Sequence, residues 1–159
     1  MIELIPKSKV ESIIAKLNQM SINERKYYYI SDHFQWYEIW SGDSVTGAKS
    51  VEPPKEFWYD GIEHILYMER VRLYCGWSVA YTSGYRTPAW NTKWKGASDS
   101  DHLYARAGDM SPKGRISIYQ FAMIIAMLTP LDHFGVYNGW SKWVHAGNND
   151  KKRLLYKWG

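Results

Sequence analysis

The chain has 159 residues, a length that fits one domain with its own core. Hydrophobic residues make up 45% and charged residues 23%, as in ordinary water-soluble domains, and the single cysteine excludes an internal disulfide or a cysteine-built metal site. The formal charge of +4 suits an anionic partner, but the basic run Lys151-Lys152-Arg153 is too short to argue for nucleic acid.

From the start, Met1-Ile-Glu-Leu-Ile-Pro-Lys7 lacks the basic opening and apolar stretch of a secretory signal, so the chain is expected to be made in the cytoplasm. Ser8 to Met20 predicts a helix. Ser8 and Glu11 have capping-box spacing, and Val10, Ile13, Ile14 and Leu17 form one apolar face. Residues 21 to 59 read as irregular, with turns at Ser41-Gly-Asp43 and Pro53-Pro54 and a short strand at Lys26 to Ile30. Asp60 with Glu63 then signals a second helix, carrying Ile62, Ile65, Leu66 and Leu73 and closed by Gly76. Cys75, near its end, reads as a small buried hydrophobe.

Ser78 to Thr82 predicts a strand entering a glycine turn at Gly84, and residues 84 to 101 a long loop of the kind that often carries function. Ile116 to Leu128 is apolar nearly all round and predicts a buried helix stopped by Pro130. Its apolar run, Tyr119 to Leu128, is broken by Gln120 and falls short of the ~20 residues that cross a bilayer, so no membrane span is expected. Phe134 to Tyr137, Trp143 to His145 and Leu154 to Trp158 predict three short strands. The layout is that of an α+β domain, a small antiparallel sheet packed by helices. Nine Trp and thirteen Tyr are expected to fill the core for the most part, although such rings can also floor a cleft.

Three segments carry chemistry together: Ser83-Gly-Tyr-Arg-Thr-Pro88, Ser100-Asp-His-Leu-Tyr-Ala-Arg-Ala-Gly-Asp109, and Trp143-Val-His145. A catalytic zinc takes three ligands from His, Asp or Glu and leaves one position open, and His102, Asp109 and His145 supply two imidazoles and a carboxylate. The chain should turn between His102 and Asp109, and on the last strand Trp143 and His145 should share a face. Spacing alone leaves these histidines as ordinary core or surface residues.

The first block, followed by Asn91 and by Gly96-Ala-Ser-Asp-Ser-Asp-His102, resembles the M15 zinc D-Ala-D-Ala peptidase family, whose pattern is Ser-Gly-Tyr-Arg-Ser/Thr-Pro, then Ser-x-His with an Asp seven residues on, then a late Val-His. Ile30-Ser-Asp-His-Phe34 and Glu38 resemble the entry segment of its phage and bacterial branches. The likeness spans about residues 30 to 159, and implies a single Hedgehog/D-Ala-D-Ala-peptidase-like domain over 1–159 with a helical extension over 1–29.

The resemblance implies zinc on His102, Asp109 and His145, and Arg86 as the catalytic arginine that meets a substrate carboxylate or carbonyl oxygen. Ser100, Tyr85 and Trp143 fall at substrate-side or supporting positions. The implied activity is hydrolysis of D-amino-acid peptide bonds in peptidoglycan stem peptides. A phage lysin or a virion component in contact with other virion proteins is the implied setting.

Two positions depart from the pattern. Ala105 stands where the family carries glycine, which matters if the backbone there needs positive φ. Lys142 stands three residues before His145, where many members place the acid that acts as general base; other branches carry an Asp two residues after the histidine, which here is Gly147. Asp101, Asp132 and Glu38 are the remaining candidates for a base. His33 reads as structural, His64 as a surface or boundary residue and His133 as a non-ligand. The rival reading is a catalytically silent domain of the same fold that binds cell wall or builds a virion. A closed structural zinc site, with His133 or another group as fourth ligand, is the third.

Overall fold

The computed structural model describes residues 2–40 and 50–148. The expected turn at Ser41-Gly-Asp43, the strand at Leu154 to Trp158 and the basic run at 151–153 lie outside the described residues.

The helix α1 spans Lys7–Asn18 and buries Val10, Ile13 and Leu17 as its apolar spacing predicts. Its N-cap is Pro6, with no side-chain cap, so the Ser8/Glu11 capping box does not form; Ser8 already lies inside the first turn. The box appears one element later, where Ser21 and Glu24 cap α2 (Ile22–Lys26) reciprocally. The strand expected at Lys26 to Ile30 does not form: α2 ends on Lys26, among the described residues only an isolated bridge between Tyr29 and Gln35 remains, and a 3-10 turn follows at Trp36–Ile39. Arg25 pins the region. Its guanidinium makes two bonds to Glu52, at 2.8 and 2.9 Å, and the Trp36 indole N–H donates to the same carboxylate.

The central helix α3 runs over Trp58–Cys75 and ends at Gly76, which takes the left-handed φ of 68° that a side chain would resist. It is the buried helix of the fold: α1 packs on one side, the sheet lies on the other, and Trp58, Ile62, Ile65, Leu66, Met68 and Val71 are all buried. Leu73 is exposed and Cys75 half-buried, because both fall in the last turn beyond those layers. The helix expected to be buried all round, α5 (Ile118–Leu128), is one-sided instead. Ile118, Phe121 and Ile125 face the sheet, while Met123 and Met127 are exposed on the opposite side because no further layer among the described residues covers it. Ser117 and Gln120 cap it reciprocally.

Four strands, β1 (Val79–Ser83), β2 (Ala107–Pro112), β3 (His133–Asn138) and β4 (Lys142–Gly147), form one antiparallel sheet in the order β1-β2-β4-β3. The architecture is therefore α+β, as expected. Strand β2 is not in the sequence reading, because Ala107, Gly108, Asp109 and Ser111 have little strand character of their own. Burial between two neighbours makes it a strand. Met110, Val144 and Ala146 point into the hydrophobic core that also takes Val10, Ile13 and Leu17 of α1. Trp36 and Trp58 are core rings, whereas Trp94 and Trp140 are exposed. No helix among the described residues is long and apolar enough to cross a membrane.

Candidate metal centre

The sheet register places the site. Asp109 pairs with Ser83 on one side and His145 on the other, and His145 pairs with Gly135, so one row crosses all four strands. Alternation turns Met110 and Val144 toward the core and leaves Asp109 and His145 on the opposite face. A register shift between Tyr81 and Ser83 on β1 brings the strand into the loop that carries Arg86.

His102 arrives from outside the sheet. It lies in a 3-10 turn, Asp101–Tyr104, whose N-cap position is Ser100. Two bonds lock this turn to the Ser83-Gly-Tyr-Arg block: the Arg86 N–H donates to the His102 carbonyl at 2.9 Å, and His102 Nδ1 donates to the Gly84 carbonyl at 2.6 Å. A carbonyl on Nδ1 fixes the ring proton there, so Nε2 is left with a lone pair turned inward. Gly84 has to be small, since a Cβ would stand 2.4 Å from the Ile39 carbonyl oxygen. Ala105 closes the turn at φ 56°, in the left-handed region, so the glycine position of the family pattern does require positive φ. The 84–101 stretch also contains a short helix, α4 (Pro88–Lys93), capped by Thr87 and initiated by Pro88. Asn91 is buried and ties the following loop through a bond to the Ala97 carbonyl.

The three residues meet. His102 Nε2 lies 3.1 Å from Asp109 Oδ1 and 3.2 Å from His145 Nδ1, and His145 Nδ1 lies 2.9 Å from Asp109 Oδ1. Ligand atoms on a tetrahedral zinc with bonds of about 2.05 Å are about 3.3 Å apart. The triangle is a few tenths of an ångström tighter than that, so a small outward movement accommodates the ion. His102 and Asp109 are almost fully buried. Burial pushes the Asp109 carboxyl up, but the charge and hydrogen bonds of His102 and His145 prevail and hold it well below the usual carboxylate range. Burial pushes the His145 imidazole down, toward the neutral form that ligates. Donor set, spacing and electrostatics all fit a divalent cation.

Arg86 joins the same centre. Its Nη2 donates to Asp109 Oδ2 at 2.6 Å and its Nε to Ser83 Oγ at 2.9 Å, so one edge of the guanidinium orients the carboxylate. Arg86, Trp94, Asp109 and Trp143 line both a cavity of about 610 Å³ and a neighbouring one of about 420 Å³. His102, His145 and Ser100 line the smaller cavity with His133, and Lys113 and Lys142 line the larger. Trp143 stacks on Tyr137 with ring centroids 3.6 Å apart, making a flat wall. Tyr85 is buried behind the loop, against Phe57, and lines neither cavity.

Among the candidate bases, Glu38 caps the Gln35 N–H and lines neither cavity, and Asp101 is bound to His133. Asp132 also lines neither. Lys142 begins β4 and its carbonyl accepts from Ser111 Oγ. His33 is structural as expected, with Nδ1 2.7 Å from Glu69 Oε1.

His64 is a correction. It is not at the surface but 3% exposed, on the core side of the sheet. Its Nε2 lies 3.0 Å from the Ala146 carbonyl and must donate to it, so Nδ1 accepts from the Tyr81 hydroxyl at 2.7 Å. Burial drives its pKa down to about 4 and fixes the neutral ring, which holds β4 one residue from His145. The signal was present in the sequence: Gly61, Met68 and Val71 stand three, four and seven residues away, on the same helix face as His64.

A profile of the Peptidase M15 family matches residues 33–147. The match takes in every element of the site and most of the chain, and the protein belongs to the M15 peptidase family. No curated protein matches.

Proposed function

We propose that this M15-family peptidase is a zinc enzyme that hydrolyses D-amino-acid peptide bonds in the stem peptides of bacterial peptidoglycan. The observation that supports it is the convergence of His102, Asp109 and His145 on one point at the wall of an open cavity. Zinc held by such a set acts as a Lewis acid and lowers the pKa of water to about 7. His102 enters with its ring proton on Nδ1, donated to the Gly84 carbonyl, Asp109 enters ionised, and Arg86 keeps the second oxygen of that carboxylate from turning away. Arg86 Nη1 has no hydrogen-bond partner among the described residues and Arg86 lines both cavities, where it would meet a substrate carboxylate or developing oxyanion. Trp143 stacked on Tyr137, together with Trp94, supplies apolar lining for a peptide or an attached sugar, and Ser100 adds a hydroxyl to the same cavity. Action on the cell wall as a phage lysin or virion component is the setting that goes with this chemistry.

A second reading follows from Lys142, which stands where many relatives carry the acid: a domain that binds metal and cell wall without turnover. Release of D-alanine or peptide fragments from purified peptidoglycan separates the two, with zinc-loaded protein run beside His102→Ala. Zinc-dependent release that the variant lacks establishes the peptidase. Zinc bound at one equivalent with no release establishes the binding domain.

A further inference from the structure

The far side of His145 holds an arrangement that the three ligands do not use. His145 turns Nδ1 to Asp109 and His102, and its Nε2 is buried with no hydrogen-bond partner among the described residues. Next to it stand Asp101 and His133, joined from His133 Nδ1 to Asp101 Oδ2 at 2.5 Å. Asp101, His133 and His145 each offer a nitrogen or carboxylate oxygen within 4.8 Å of the others, and the two imidazole centroids are 5.0 Å apart.

Gly147 explains why the space is open to Asp101. It follows His145 by two residues and so shares its strand face. A Cβ there would lie 3.1 Å from Asp101 Oδ2 and 2.9 Å from the Ala107 Cβ. The Asp101 carboxylate thus stands directly against the Cβ position of residue 147, the position where the resemblance places an Asp in some branches.

Ligation through Nδ1 leaves the ring proton of His145 on Nε2. A buried N–H without an acceptor is costly, and ligating histidines normally donate that N–H to a carboxylate or carbonyl. Asp101 is 5% exposed, spends Oδ2 on His133, and has no partner on Oδ1 among the described residues. It is the carboxylate of this cluster.

We propose that Asp101, fixed by His133, is the outer carboxylate of the metal centre: it receives the Nε2 proton of His145 and holds that ring for ligation, in place of an acid at position 147. The inference rests on the reading of His102, Asp109 and His145 as the ligands. Both residues are positioning residues, and the pair is brought together from the 3-10 turn and from β3.

The test is zinc affinity by competition with a chromophoric chelator, beside the visible absorption of the cobalt-substituted protein. Asp101→Asn is expected to weaken zinc binding about 10–100-fold and to alter the cobalt spectrum, while Asp101→Glu, which keeps a carboxylate, stays close to the parent. His133→Asn should weaken binding in the same direction, and carries the test if Asp101→Asn fails to unfold cooperatively in urea without metal. Unchanged affinity and spectrum in both variants would overturn the inference. So would two equivalents of zinc in the parent with the second lost in Asp101→Asn, which would make the cluster a metal site in its own right. A parent protein that binds zinc but cleaves nothing defeats the peptidase reading and leaves this inference standing. One that binds no zinc defeats the ligand reading on which both depend.

Discussion

Asp109 and His145 face each other across the β2–β4 ladder, paired in register, with Oδ1 2.9 Å from Nδ1. Two of the three proposed ligands therefore sit on adjacent strands, whose spacing the backbone hydrogen bonds fix. Only His102 depends on loops.

Asp109→Asn keeps the shape and removes the charge. It should cost zinc affinity at least the ~10–100-fold that loss of a mere supporting partner costs, read by chelator competition. It should also lower the metal-free stability, because Arg86 is left half-buried opposite a neutral group. Unchanged affinity would remove Asp109 from the ligand set.

Gly84→Ala tests the loop. The added methyl meets the Ile39 backbone at 2.4–2.7 Å, and backbone cannot swing aside as a side chain can. The expected loss is about 1–3 kcal/mol in urea unfolding. Zinc affinity should fall with it, because the Gly84 carbonyl holds His102 Nδ1. A variant as stable as the parent would show that the loop relaxes freely.

Ala105→Gly should stabilise. A left-handed conformation costs an L-residue about 1–2 kcal/mol, and the extra freedom of glycine in the unfolded chain returns about 0.4–1 of that. A net gain of about 0.5–1 kcal/mol is expected, a rise of roughly 2–4 °C per kcal/mol in Tm for a domain of this size. A fall in Tm would mean that the Ala105 methyl contributes packing that outweighs its strain; the residue is 3% exposed.

His64 predicts acid sensitivity. Its folded pKa of about 4 lies below the ordinary 6.5, so between these values the unfolded chain binds more protons and stability rises with pH. The neutral ring contributes its full share above pH 6.5. About 3 kcal/mol of that is lost by pH 4. Urea midpoints of metal-free protein from pH 7 to 4 should show this slope, and His64→Leu, although less stable throughout, should show a shallower one. His145 acts in the same direction and accounts for slope that remains. Parallel curves for parent and variant would sink the assignment.

How much of this was legible in the sequence depends on how local each cause is. The helices α1 and α3 could be read from the spacing of Val10, Ile13 and Leu17 and of Ile62 and Ile65, since amphipathic periodicity is a property of the segment itself. The same reading erred on α5, because apolar composition reveals a preference for burial but not how many layers are there to provide it. It missed β2, whose small residues become a strand through the two strands that flank them.

The site divides the same way. By themselves, the residues determined an imidazole-rich donor set and the loop block that resembles a family, because donor chemistry and turn residues are written one position at a time. Tertiary structure alone decided that Asp109 and His145 share a register, that His64 and Tyr81 support the strand from below, and that Asp101 stands against the Cβ position of residue 147. Those relations join residues 17, 36 and 46 positions apart, and only packing, which is blind to sequence distance, can set them.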